Sequence, residues 1–133
     1  MIVIADDITG AAEMAGIAFA RGEDVRLACG CPVSDCDIVT NGTVVIATDT
    51  RSMSEAEAVA ETHCITSAFM HHTSAIFKKT DSALRGHVVA ELSALMEATG
   101  CRRAVFLPAN PSKGRIIKNG TYYNTSEKKL PYM

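Results

Sequence analysis

One pattern recurs along the chain and constrains its fold more than any other. A short apolar run meets a cluster of acids, hydroxyls or a lone cation, and a helical pattern or a turn-rich loop follows. Met1–Ala5 is apolar throughout and ends against Asp6-Asp7-Ile8-Thr9-Gly10. Thr43–Thr48 ends against Asp49-Thr50-Arg51-Ser52, and Ser74–Lys78 against Lys79-Thr80-Asp81-Ser82. Arg103–Leu107 ends against Pro108–Arg115. Continuous apolar runs of this length read as strands buried on both faces. Strands alternating with helices predict a three-layer α/β fold, a mostly parallel sheet with helices on both faces. Ligands of such sheets collect at the carboxyl ends of the strands. That is where the polar clusters fall.

The intervening segments fit this scheme. Ala11, Met14, Ala15 and Ala18 form one helical stripe reaching Arg21, and Gly22 suits the stop. Asp24–Cys29 reads as a second strand, and 30–42 mainly as loop with a short strand at Asp37–Thr40. Ser54 with Glu57 makes a capping box for a helix reaching His71 or His72. Leu84, Val88, Leu92, Leu95 and Met96 predict another helix ending at Gly100, with Ser82 as N-cap and Arg85 at its third position. Ile116-Ile117 and Thr121–Tyr123 pair across Lys118–Gly120 as a hairpin. The expected domain covers 1–124, with 125–133 as a polar tail.

Composition narrows the function. At 133 residues the natural reading is one domain, long enough to bury about two-thirds of its unfolded surface. No apolar stretch approaches the roughly 20 residues of a membrane span, so no membrane partner is expected. The N-terminus lacks a basic leader and the five cysteines are odd in number, which predicts free thiols and a cytoplasmic location. Cys29, Cys31 and Cys36 lack the second pair of a zinc knuckle, so no metal site is expected. Residues 1–77 hold 3 Lys+Arg and 11 Asp+Glu, whereas residues 78–118 hold 8 and 3. With aromatics at 5%, this suits a local anion site rather than nucleic acid.

Asp6 and Asp7 stand directly behind a buried strand. Capping the next helix accounts for one of them, with Thr9 able to share that duty. Two adjacent carboxylates repel, so the second calls for a hydroxyl or cation partner. Gly10 lets a ligand approach the backbone. In the run Lys78–Gly86, Arg85 and Lys79 beside free helix N–H groups suit a bound carboxylate or phosphate. The plain alternative is that Arg85 pairs with Asp81. Asp49 and Arg51 are loop charges with either role open, as are Gly114 and Arg115. No nucleotide loop or nucleophile elbow occurs.

These motifs together resemble a family. Ile4–Ala11, Asp49–Ser52, Lys78–His87, and Pro108–Pro111 with Gly114-Arg115 are similar, in order, to the N-terminal domain of the four-carbon acid sugar kinases. Ala83 stands where that family usually has Thr, and Asn110 where an aromatic or apolar residue is common. The resemblance implies an ATP-dependent kinase acting on erythronate, threonate or oxo-tetronate acids. Its N-terminal domain binds the sugar acid, and a larger C-terminal part binds ATP and Mg²⁺. Carried over by position, Asp6 and Asp7 handle substrate hydroxyls, one as base. Thr9, Gly10, Arg51, Lys79, Asp81, Ser82, Arg85 and Gly86 bind the sugar acid, with Gly114 and Arg115 near the interdomain cleft. The expected partners are a small anionic sugar acid, and a nucleotide-binding domain that this chain lacks or a second copy. The chain alone is expected to bind a sugar acid and not to turn over ATP.

Two other readings compete. A phospho-acceptor receiver domain would use Asp6, Asp7 and Asp49 around Mg²⁺, but it needs Lys-Pro where Leu107-Pro108 stands. A non-catalytic binding module is the third.

Overall fold

A computed structural model describes residues 1–30, 42–71 and 75–125. The short strand expected at 37–40, Cys31, Cys36, His72, Ser74 and residues 126–133 lie outside the described residues. β1, Ile2–Ala5, is buried along its whole length, which requires elements on every side. β3, Thr43–Ala47, pairs parallel with it on one side, Ile2 opposite Val44. β4, Ile76–Lys79, pairs parallel on the other, Ile2 opposite Ile76. β2, Val25–Cys29, adds to β3, giving the order β2-β3-β1-β4, all parallel.

Side chains alternate across a strand, and the core divides accordingly. Ile2, Ile4, Val44 and Ile46 pack one way, against Ile65 and Phe69 of α2 (Glu55–Phe69) and Leu95 of α3 (Val88–Thr99). Val3, Ala5, Val45 and Ala47 pack the other way, against Ala11, Met14 and Ala15 of α1 (Ile8–Ala20). The three layers are thus as expected. Among the described residues no helix is long and apolar enough to cross a membrane.

Local signals hold where they are chemical. Gly22 takes φ +81° after α1, and Gly100 takes φ +68° after α3. Both capping-box bonds form, Ser54 Oγ with Glu57 N and Glu57 Oε2 with Ser54 N. β5 (Arg115–Lys118) and β6 (Thr121–Asn124) make the hairpin, with Asn119 and Gly120 both at positive φ, the requirement of a tight two-residue turn.

Three expectations need correction. α2 ends at Phe69, short of His71. α3 does not begin at Ser82. Its first residue is Val88 and its N-cap is His87, because Leu84 at φ +60° and Gly86 at φ +82° interrupt any helix over 82–87. Arg85 therefore lies in the loop before α3, not in its first turn. Arg103–Leu107 is not a strand: no ladder joins it to β4, and Val105 is 95% exposed and Leu107 71%. Its apolar sequence is that of a buried strand, but its neighbours hold it away from the sheet edge.

Candidate functional site

The carboxyl end of the sheet carries the polar cluster. Thr48 N donates to Ala5 O at 2.9 Å, Arg51 N to Asp6 O at 3.2 Å and Asp6 N to Lys79 O at 3.3 Å. The loops after β1, β3 and β4 are thereby tied side by side. Asp7 is the N-cap of α1, its Oδ1 accepting from Gly10 N at 2.8 Å. Thr9 is exposed on the first turn and is not the cap.

Arg51 resolves the repulsion between the two aspartates. It donates to Asp6 from Nε at 3.1 Å and from NH2 at 3.0 Å, and from NH1 to Asp7 Oδ2 at 2.8 Å. Asp6 is 1% exposed, so its charge is out of water and depends on this fork. Asp7 and Arg51 keep about a fifth of their side-chain surface open. Gly86 makes the fork possible, since a Cβ there would sit 3.3 Å from Arg51 Cγ. Gly10 has the same function on the other flank. A Cβ would meet Asp7 Oδ1 at 2.9 Å and Lys79 Cγ at 3.4 Å, which places the Lys79 side chain over the start of α1. Lys79 Nζ donates to Thr80 O at 3.2 Å and stands 3.5 Å from Glu13 Oε2.

Asp81 is buried and receives the Arg85 guanidinium. Burial opposes ionisation of Asp81. The Arg85 hydrogen bond, the Ala83 N–H and the charges of Arg85 and Arg51 outweigh it and hold the carboxyl at about 2. Arg85 itself is pushed up, first by Asp81 and further by Asp7 and Asp6, so the first loop and the 81–86 loop share one field. The hairpin closes the same edge. Arg115 NH1 donates to Ser82 Oγ and Tyr122 OH to Ser82 O, while Arg115 Nε is buried with no hydrogen-bond partner among the described residues. Gly114, at φ +69°, supplies the left-handed residue before β5.

Asp6, Asp7, Gly10, Arg51, Lys79, Asp81, Ser82, Arg85, Gly86 and Arg115 are therefore neighbours around one edge. Thr9 and Gly114 sit on its rim. Sequence reasoning did not foresee that Arg51 neutralises the acid pair. Asp49 stands apart at φ +56°, accepting from Ser52 Oγ at 3.2 Å.

A second set went unnoticed. Glu91 of α3 is buried and accepts from Thr50 Oγ1 at 2.8 Å and Thr62 Oγ1 at 3.4 Å, and pairs with Lys78 Nζ at 2.7 Å. Thr50 in turn meets Thr48 Oγ1 at 2.9 Å. This network includes Thr50, the residue before Arg51, and links α2, α3 and β4 to the loop carrying that arginine. A Glu at the fourth position of α3 signals only an N-terminal charge in sequence. Its partners are 13 to 41 residues away and carry no local cue.

Known proteins resemble the chain as a whole. A family model described as sugar-binding N-terminal domain matches residues 1–130. The D-threonate kinase of Salmonella typhimurium is 33% identical over 126 residues, 90% of this chain and 28% of that protein. The 3-oxo-tetronate kinase of Brucella melitensis is 32% identical over 123 residues, 89% of this chain and 28% of that protein. A crystal structure of a domain of unknown function from Bordetella bronchiseptica, a domain-swapped dimer with bound citrate, superposes with a TM-score of 0.85 at 28% identity. The superposition covers 92% of this chain and 32% of that one. The chain thus spans under a third of the length of these relatives.

Proposed function

The chain belongs to the sugar-binding N-terminal domain family, and from that premise we propose that it is the acid-sugar-binding part of an ATP-dependent kinase for four-carbon acid sugars. Threonate, erythronate and oxo-tetronate are the substrate class. The observation that carries this reading is the joining of Asp7, Arg51, Asp81 and Arg85 around one sheet edge, with Lys79 and Arg115 beside them.

The chemistry of a four-carbon acid divides between these groups. Its carboxylate needs cations with donors to spare. Arg85, mostly in solvent, and Lys79 meet that need. Its hydroxyls need carboxylate acceptors. Asp7 has an open edge, whereas Asp6 is enclosed by Arg51, so Asp7 is the group that accepts the proton of the reacting hydroxyl. Asp6 fixes Arg51, and Arg51 fixes Asp7. Thr9, Gly10, Ser82 and Gly86 shape the approach, and Gly114 with Arg115 face the cleft toward the nucleotide.

ATP supplies the phosphoryl group and Mg²⁺ its charge neutralisation, and neither fits this chain's own residues. The acid pair is already taken by Arg51, and among the described residues no group of three His, Cys, Asp or Glu is placed to hold a metal ion. The reading therefore assigns ATP and Mg²⁺ to a further nucleotide-binding part, and holds the chain inactive alone in the cytoplasm. The citrate of the Bordetella neighbour supports a small carboxylate guest, and its swapped dimer supports self-association as a second partnership.

Thermal shift tests this reading. D-threonate or D-erythronate should raise the midpoint, because a ligand bound only to the native state stabilises it, and ATP with Mg²⁺ should not. A shift with ATP–Mg²⁺ and none with either acid would overturn it.

A further inference from the structure

We propose that the free edge of β4 and the segment Arg103–Leu107 are the two walls of a slot for one β-strand, and that its occupant is a strand from the polypeptide that the relatives carry beyond the matched third. The inference rests on the reading that a further part completes the kinase. It adds where that part plugs in.

Among the described residues β4 pairs with β1 on one side only, although a parallel sheet is ordinarily buried up to its edges. Beyond it lies a cavity of about 850 Å³, whose far wall is the chain from Arg103 to Asn110. One residue of strand fills about 160 Å³, from a strand spacing of about 4.8 Å, a rise of about 3.3 Å and a sheet thickness of about 10 Å. The cavity therefore has room for about five residues, close to the length of β4. Its lining is apolar in the middle, with Ile76, Leu92, Leu95 and Val105.

The far wall does not fill the slot itself, because both of its ends are held. It leaves α3 through Gly100 at φ +68°. It re-enters the fold at buried Pro108 and at Asn110, whose N and O pair with Arg115 at 2.7 and 3.0 Å. The hairpin beyond is anchored on Ser82. Val105, Phe106 and Leu107 are left exposed, a run with the character of a central strand lacking its neighbours. The relatives are more than three times longer than the match, so they carry ample chain to supply one. The chemistry required is an extended segment of about five residues, apolar on both faces and without internal proline.

The test mixes the full 133-residue chain with a probe, the portion of the Salmonella D-threonate kinase lying after the matched part. Hydrogen exchange is read at Ile76–Lys79 and Ala104–Leu107. Cys101, exposed at the slot, is read by alkylation, with exposed Cys29 and Cys64 as internal controls. Occupation should slow both readouts at the slot by about tenfold or more, as expected when edge amides join a ladder, and leave the control thiols unchanged. Should the probe prove insoluble, a chimera joining it after Asn124 supplies the strand in cis with the same readouts. Binding that leaves β4 and Cys101 unprotected overturns the proposal, as does failure of a folded probe to bind. Protection that rises with concentration of the chain alone gives the slot to a second copy and also overturns it. Sugar-acid binding by the chain is independent of these outcomes, so the two readings fail separately.

Discussion

Arg51 is the residue on which the site turns. Its guanidinium meets two carboxylates, one of them shut away from water, and only a planar fork satisfies both. Arg51→Lys keeps the charge and loses the fork, so Asp6 is left buried with a poor partner. The expected cost is about 2–3 kcal/mol in urea unfolding at neutral pH, with weaker sugar-acid binding. A loss under about 0.5 kcal/mol would mean that Asp6 has other support. Asp81 offers a cleaner test, through pH. Its carboxyl is held at about 2 against an ordinary 3.8, so its contribution is complete above about pH 4 and is lost as pH falls toward 2. Much of Arg85 is in water, which screens the pair and makes its contribution small. Asp81→Asn should therefore be less stable than the parent at pH 6, and the gap should close as pH approaches 2. A gap that stays constant would assign the loss to packing.

At the scale of elements, α3 is fastened to the site through Glu91. Lys78 and Glu91 are both about 95% or more buried, and each would be a stranded charge without the other. Glu91→Gln should cost about 3 kcal/mol, and Lys78→Met should recover a large part of it in the double variant. Strictly additive losses in denaturant would show that Thr50 and Thr62, rather than Lys78, make Glu91 matter. The elements also separate what was legible in the sequence from what was not. β1, β3, the cap on α2 and the Asn119-Gly120 turn each follow from chemistry within a few residues, and each was readable. The start of α3 was misjudged because Leu84 gives no sign of a positive φ, and the stripe that it begins continues in phase with Val88. The polar edge was legible residue by residue, since each member follows an apolar run. The Arg51 fork and the Glu91 network were not, because they join residues 13 to 45 positions apart. Arg103–Leu107 was misread as a strand because composition alone does not separate an exposed apolar run from a buried strand.

At the scale of the molecule, charge at the polar edge is balanced locally. Asp6 and Asp7 are neutralised by Arg51 and Asp81 by Arg85, each within its own part of the chain, while Lys79 with Glu13 joins the acidic first part to the basic later one. A site so balanced suits a small guest with one carboxylate and several hydroxyls better than a triphosphate, whose concentrated charge calls for a glycine-rich loop or a metal cluster. Phosphoryl transfer needs both sites held in line, so the chain alone should bind D-threonate and show no acid-dependent ATP hydrolysis in a coupled assay. Joined to the remainder of the Salmonella kinase it should gain turnover, and in that chimera Asp7→Asn should lower kcat far more than KM if Asp7 takes the hydroxyl proton. Acid-dependent turnover by the purified 133-residue chain would place a nucleotide site on this edge after all. Lys79 and Arg85 would be where to look for it, Lys78 being buried against Glu91.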